Sequence, residues 1–408
     1  MLARTLGTCR GDSRVSQTNG RPAANGPLSG FRVIDLTINV LGPLATQHLG
    51  DLGAEVIKIE EPGGDYTRHV GPARSPAMGA FFLNLNRNKK SVVLNLKEPE
   101  ARDHLMALVA TADVFVHSMR ASAARRLGID YQQIQAVNPR IVYAWAGGFR
   151  PGSSLAEAPA FDDVIQARCG LSGMIGRVTG RPGYLPTVLA DKFCGNALAS
   201  AIGMALLWRE RTGEGQEVHV PMLDSMVALN MPEHLWGATL REPEQGVGYL
   251  RMFTPNRRPY ATRDGHIAVM ANNDAQYRRL YDAIGKPDLA TDPRFAITAN
   301  RARNIDILYG IVAEAVALRT TAEWNDLFAQ ADIPHGPVYD LADLLTDPYL
   351  DEVGFFREMD HPTEGSVVAM DITTSFSASP GRIRSLAPRL GEHTEEILAA
   401  ASSRDDTE

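Results

Sequence analysis

The 408-residue chain is poor in cysteine and has no excess of positive charge. Cys9, Cys169 and Cys194 lie far apart, which excludes a disulfide framework and a CxxC metal or redox pair and fits a reducing cytoplasm. A formal net charge of −7 argues against nucleic-acid binding, which needs a basic face to neutralise phosphates in series. Long apolar runs are missing too. Ala197 to Trp208 is too short to cross a bilayer, so a soluble protein with no membrane partner is expected. No GxGxxG follows a strand-like run, and in the nearest glycine cluster, Leu41 to Pro43, the proline removes an N–H from any phosphate cradle. A nicotinamide or flavin dehydrogenase is therefore disfavoured. Walker, HExxH and GxSxG motifs are lacking, and the ten histidines fall in no ligand spacing, so metal and serine chemistries drop out.

What is present is an alternation. FRVIDL (31–36), EVIKIE (55–60), SVVLNL (91–96), DVFVHS (113–118) and IVYAWA (141–146) read as short β-branched strands. Between them lie helical patterns at 43–53, 98–111 and a turn ending at Gly128. The fold class this implies is α/β, with a mostly parallel sheet covered on both faces. The length calls for a second domain. Residues 1–26 read as a disordered tail, 27–224 as the N-terminal part of a large domain, and 225–340 as a small domain with linkers, inserted into the large one. Residues 341–408 return to the large domain. The small domain shows one clear strand, HIAVMA (266–271), among helices.

The stretch TVLADKFCGNALASAIGMALL (187–207) has the length and small-residue content of a helix packed closely on several sides. Asp191 stands at its head. From this segment alone it is a cap for backbone N–H groups, the commoner use of Asp, or a reagent held where water is scarce. Cys194 reads as a small hydrophobe.

Six segments in order, GFRVIDLTINVLGPLATQHLGDLGAEVIKIEEPGGDYTR (30–68), NRNKKSVVLNLK (86–97), ADVFVHSM (112–119), RTGEGQEVHVPMLDS (211–225), TAEWNDLFAQADIPHGPV (321–338) and LGEHTEEIL (390–398), together resemble the class III coenzyme A transferases, the CaiB/BaiF family. That family also contains the α-methylacyl-CoA racemases. The resemblance implies a Rossmann-like large domain plus a smaller α+β domain, in an interlocked homodimer. Its active site would lie between the large domain of one chain and the small domain of its partner. It implies an acyl-CoA:carboxylate CoA-transferase with coenzyme A as co-substrate and Asp191 as nucleophile, forming mixed anhydrides and an aspartyl-CoA thioester. Asp191 must then be ionised near neutrality, and a helix N-terminus favours the anion by roughly 0.3 to 2 kcal/mol. Position by position, Leu94 and Lys97 match residues around the adenine, Ser118 and Met119 match the pair after a strand, and Arg126 matches a phosphate-binding Arg. Val40 and Leu41 match the pantetheine entrance.

Three departures narrow this reading. Phe161 stands where the racemases resembling this chain carry an acid/base His, and Phe cannot exchange a proton, which favours transfer over racemisation. Asp162 beside it matches an acidic position of the transferases, as a polar group of the site or a structural hydrogen-bonding one. The glycine-rich loop of the formyl-CoA type is replaced by FTPNRRPY (253–260), where Arg257 and Arg258 either recognise a second substrate carboxylate or are ordinary surface arginines. Glu61 stands in place of a phosphate-binding Arg, which leaves Arg68, Arg87, Lys89 and Lys90 as substitutes. Racemase and non-catalytic CoA-binding paralogue are the alternative readings.

Overall fold

The computed structural model describes residues 26–405; the tail expected over 1–26 lies outside the described residues apart from Gly26. Strand β1 (Arg32–Leu36) leads through helix α1 (Leu41–Asp51) to β2 (Glu55–Glu60), then α2 (Ala80–Leu83), β3 (Lys89–Val93) and α3 (Pro99–Ala110). Next come β4 (Val114–His117), α4 (Ala121–Leu127), α5 (Tyr131–Val137) and β5 (Val142–Gly147). Helices α6 (Asp162–Arg168), α7 (Leu171–Thr179) and α8 (Leu189–Thr212) precede β6 (Gln216–Pro221) and α9 (Met222–Asn230). The six strands form one parallel sheet in the order β3-β2-β1-β4-β5-β6. Winding therefore reverses between β1 and β4.

Because successive strand side chains alternate between faces, the sheet feeds two cores. Val33, Val116 and Ala144 pack with Leu49 of α1 and Leu198 and Ile202 of α8 on one face. Ile34, Phe115 and Ile57 pack with Leu108 of α3 and Ile134 of α5 on the other. Strands buried on both sides are rich in β-branched and apolar residues, broken here by the buried charges Asp35, Lys58, Glu60 and Lys89, which is why most of them are legible as runs.

A separate core gathers around β7 (Tyr260–Ala261), β8 (His266–Val269) and helices α10 (Asp274–Ala283), α11 (Thr298–Arg303), α12 (Ile305–Val316) and α13 (Thr321–Gln330), closed by β9 (His335–Pro337). Its sheet is antiparallel, in the order β7-β8-β9, so the single expected strand has two short partners. After α14 (Pro348–Glu352) and the hairpin β10 (Phe356–His361) and β11 (Gly365–Met370), the chain runs back along the large domain. Arg382 N–H donates to Asp51 O (2.9 Å) and His393 N–H to Ser91 O (2.9 Å), and α15 (Thr394–Asp405) adds Ile397 to the core on the α3 face.

Two expectations are corrected. β3 begins at Lys89 rather than Ser91, because Lys89 and Lys90 pair with Val56 and Ile57 of β2; a lysine neutralised inside the protein reads as a loop residue in a sequence. Helix α8 is covered on one side only, and its Met204 (64% exposed) and Trp208 (50%) face outward. Among the described residues no helix is long and apolar enough to cross a membrane.

Candidate active site

In an open parallel sheet the crevice lies beyond the carboxyl ends of the strands where winding reverses. Here that place follows Leu36 of β1 and His117 of β4, which are paired in register. It brings together Val40 and Leu41, at the start of α1, with Ser118 and Met119, just past β4. Leu94, buried past the end of β3, donates its N–H to Glu60 O (2.9 Å). Lys97 and Arg126 lie exposed on the same flank.

Met119 is pinned at both backbone atoms. Its N–H donates to His117 Nδ1 (3.2 Å), and its carbonyl accepts from the Trp145 indole N–H (2.7 Å). Burial pushes His117 down to about 3, so its ring is neutral. With Nδ1 accepting, Nε2 carries the hydrogen and donates to Tyr143 Oη (2.6 Å), which donates to Ile129 O (3.0 Å). Sequence reasoning missed His117, Tyr143 and Trp145; their alternation on β4 and β5 was the available signal.

The loop Thr37–Pro43 is held from beneath. Lys58 Nζ donates to Thr37 O (2.8 Å) and Asp65 Oδ2 (3.0 Å), and Lys89 Nζ to Pro43 O (2.9 Å) and Asp35 Oδ2 (3.3 Å). Asp65 Oδ1 accepts the Asn39 N–H (3.3 Å), steadying a residue with φ of 65°, a conformation Asn tolerates better than most. These bonds show where the four candidate substitutes for a phosphate-binding Arg are engaged within the chain. Arg68 is buried against Glu60 (2.7 Å) and donates to Pro388 O, Arg87 is buried against Asp51 (2.7 Å), Lys89 is engaged as above, and Lys90 pairs with Glu55 (3.0 Å). All four cations hold the fold together.

Asp191 is the third residue of α8. The residue before that helix is Val188, which supplies no side-chain cap. Asp191 is not the cap either; its own N–H donates to Asp162 Oδ1 (3.0 Å), at the first position of α6. Asp162 is buried, and its other oxygen accepts from the side-chain amide of Gln166. Of the two roles open to Asp162, the structure thus shows the hydrogen-bonding one. Burial, then the neighbouring Asp162, push the Asp191 carboxyl up to about 7. The sequence leads one to expect Asp191 ionised near neutrality with the helix terminus favouring the anion; its carboxyl instead sits well above the usual carboxylate range, because burial and Asp162 both oppose the charge. One turn on, Gly195 lets α1 approach, since a Cβ there would stand 2.7 Å from Leu41 O. The nucleophile candidate is thereby drawn toward the loop carrying Val40 and Leu41. Cys194 is fully buried with its thiol pushed up to about 12 by burial, which leaves no thiolate to compete.

Arg257 and Arg258 are not brought to Asp191 within this chain. They stand exposed on the rim of a cleft of about 470 Å³ lined by Tyr260, Val269, Tyr309 and His335 of the small domain. Phe161 is 69% exposed, immediately before α6. Among the described residues no group of three or more His, Cys, Asp or Glu could hold a metal ion.

Comparison with known proteins identifies the family of the whole chain. The family model for CoA-transferase family III matches residues 28–394. The acetyl-CoA:oxalate CoA-transferase of Acetobacter aceti is 36% identical over 333 residues, covering 79% of this chain and 83% of that one. The mouse succinyl-CoA:glutarate CoA-transferase is 32% identical over 385 residues, covering 93% and 88%. Among solved structures, Rv3272 from M. tuberculosis superposes with a TM-score of 0.79 at 31% identity, over 92% of this chain and 99% of that one. A CAIB/BAIF family protein from Brucella suis gives 0.77 at 30% identity, over 92% and 100%.

Proposed function

This chain belongs to CoA-transferase family III and is an enzyme of that class, and from that premise we propose that it transfers coenzyme A between carboxylic acids through a thioester on Asp191. The carboxylate oxygen attacks the thioester carbonyl, the C–S bond breaks, and CoA thiolate leaves behind a mixed anhydride. The thiolate then attacks the Asp191 carbonyl of that anhydride and the donor acid departs as carboxylate. An acceptor carboxylate reverses the two steps and leaves with CoA. No net proton is gained or lost, and the thioester's energy is kept as long as water stays away from the anhydride.

The observation that carries this reading is Asp191 itself: a half-buried carboxyl at the head of α8, its N–H held by Asp162 (3.0 Å), pushed up to about 7 by burial and Asp162, one helical turn from the contact of Gly195 with Leu41. Coenzyme A would lie over the crevice with Val40, Leu41, Ser118 and Met119 along its pantetheine and thiol, Leu94 against its adenine, and Lys97 and Arg126 toward its phosphates. Phe161 offers no proton to exchange, which supports transfer over racemisation.

The Arg257 and Arg258 cleft would be completed against the Asp191 half of a partner chain in an interlocked homodimer in the cytoplasm. Two relatives are named for transfer to or from oxalate and glutarate, both dicarboxylic acids. Two free guanidinium groups suit a second carboxylate, so a dicarboxylic acid is the acceptor. Incubation with an acyl-CoA followed by hydroxylamine or borohydride is expected to modify Asp191 alone, seen by mass spectrometry. Turnover without modification of Asp191 would remove the reading. Arg257→Ala and Arg258→Ala are expected to lose preference for dicarboxylates over monocarboxylates by about tenfold; unchanged selectivity in both would remove the acceptor assignment alone.

A further inference from the structure

Helix α8 enters the site without the usual means of fixing a helix start. Its lead-in consists of two consecutive i to i+2 turns, Thr187 N–H to Leu185 O (2.7 Å) and Leu189 N–H to Thr187 O (2.9 Å), with Val188 at φ −76° and ψ 69°. Such inverse γ-turns are weak holders of direction, and Val188 has no side chain able to cap the N–H groups that follow.

One buried amide supplies what is missing. Gln166 of α6 is wholly inaccessible. Its Oε1 accepts the Leu185 N–H (3.0 Å), and its Nε2 donates to Thr187 O (3.1 Å) and to the carboxylate of Asp162. Asp162, through its other oxygen, accepts the Asp191 N–H (3.0 Å). Gln166 and Asp162 stand four residues apart on one face of α6, so a single helical turn grips both the strand of chain before α8 and the backbone of its third residue. An Asn is too short to reach both sides, and a Glu lacks the two donors.

We infer that Gln166 is the positioning residue of this active site, setting the direction in which the Asp191 carboxylate leaves α8 and keeping Asp162 beside it. The inference rests on Asp191 being the nucleophile. Gln166 touches no substrate, so its removal should leave binding alone and slow the attack. A carboxylate displaced by about an ångström loses roughly a hundredfold in rate.

The test is Gln166→Met, which keeps the side-chain length and removes every hydrogen bond. Single-turnover formation of the aspartyl-CoA adduct, followed by mass spectrometry, is expected to slow 30- to 100-fold relative to the unsubstituted protein, with KM for acyl-CoA changed less than threefold. Should that variant fail to fold, Gln166→Asn, neutral and polar but too short to reach both Leu185 and Thr187, carries the same test. A rate per folded molecule within threefold of the unsubstituted protein overturns the inference, as does a loss residing only in KM. Absence of any Asp191 adduct in the unsubstituted protein instead overturns the nucleophile reading, so the two failures are told apart.

Discussion

Carboxylates wholly or half buried occur on both flanks of the large sheet, and they behave oppositely. On the β1–β3 flank, burial pushes Asp35, Glu60 and Asp65 up, but Lys89, Lys58 and Arg68 beside them overcome it and hold all three below the ordinary carboxylate range. On the α6–α8 flank the Asp191 carboxyl faces another acid, Asp162, while the adjacent Lys192 turns its Nζ to Thr187 Oγ1 (2.7 Å), and the carboxyl rises to about 7. Both are acids taken out of water; only the company differs. The first flank uses its charges to fix the segment Thr37–Pro43, and the second leaves one carboxylate under-compensated. Lys58, Arg68, Arg87 and Lys89 are accordingly buried in ion pairs of the scaffold.

Four changes would break or sharpen that contrast. Asp191→Ala should reduce kcat by at least about 10⁴-fold while leaving the melting temperature undiminished; retention of turnover in a steady-state assay would erase the functional half of the comparison. Lys58→Met, by stranding Asp65 and Asp35 with less compensation, should cost about 3–5 kcal/mol in urea unfolding, a loss with no counterpart on the other flank. Asp191→Asn should do the reverse. A carboxyl whose folded pKa is raised binds its proton more tightly when folded, so its penalty is absent at about pH 4, grows as pH rises, and is complete above 7. The amide should therefore stabilise the protein at pH 8 by on the order of 2 kcal/mol, a gain that calorimetry would see shrink toward pH 4. Asp162→Asn, smallest of the four, should lower the pH midpoint of kcat/KM from near 7 by about one unit.

The same contrast separates two titrations in the unsubstituted protein. Acids with depressed folded pKa values stabilise the fold above about pH 4 and release it below, through their folded pKa values. Activity should thus fall tenfold per unit below 7 while circular dichroism stays native down to about pH 4. Coincident losses would show that Asp191 titrates only as part of unfolding.

Strands β1 to β5 were legible because strands buried on both faces are dominated by apolar and β-branched residues, as in RVIDL and VYAWAG. β7 and β9, two and three residues long, carry no period to read, and a core lysine hid the start of β3. Asp191 stood out in the sequence as an acid before a run of small residues, and its chemistry came from family resemblance. Its protonation did not follow from position, since a helix dipole is local to the segment whereas desolvation depends on everything packed around it. The grip of Gln166 was less visible still. An Asp and a Gln four apart on a helix are commonplace, and only the fold brings them to Leu185 and Thr187.

Trp145 carries a practical consequence. Its indole, bonded to the Met119 carbonyl (2.7 Å), sits at the mouth of the crevice, whereas Trp324 is sealed in the small-domain core and Trp208 and Trp236 lie exposed. With those two exposed indoles changed to phenylalanine, a shift in ultraviolet emission on adding an acyl-CoA would report on Trp145 beside Met119 against the sealed Trp324, so that arrival in the proposed crevice could be timed apart from chemistry without attaching a label.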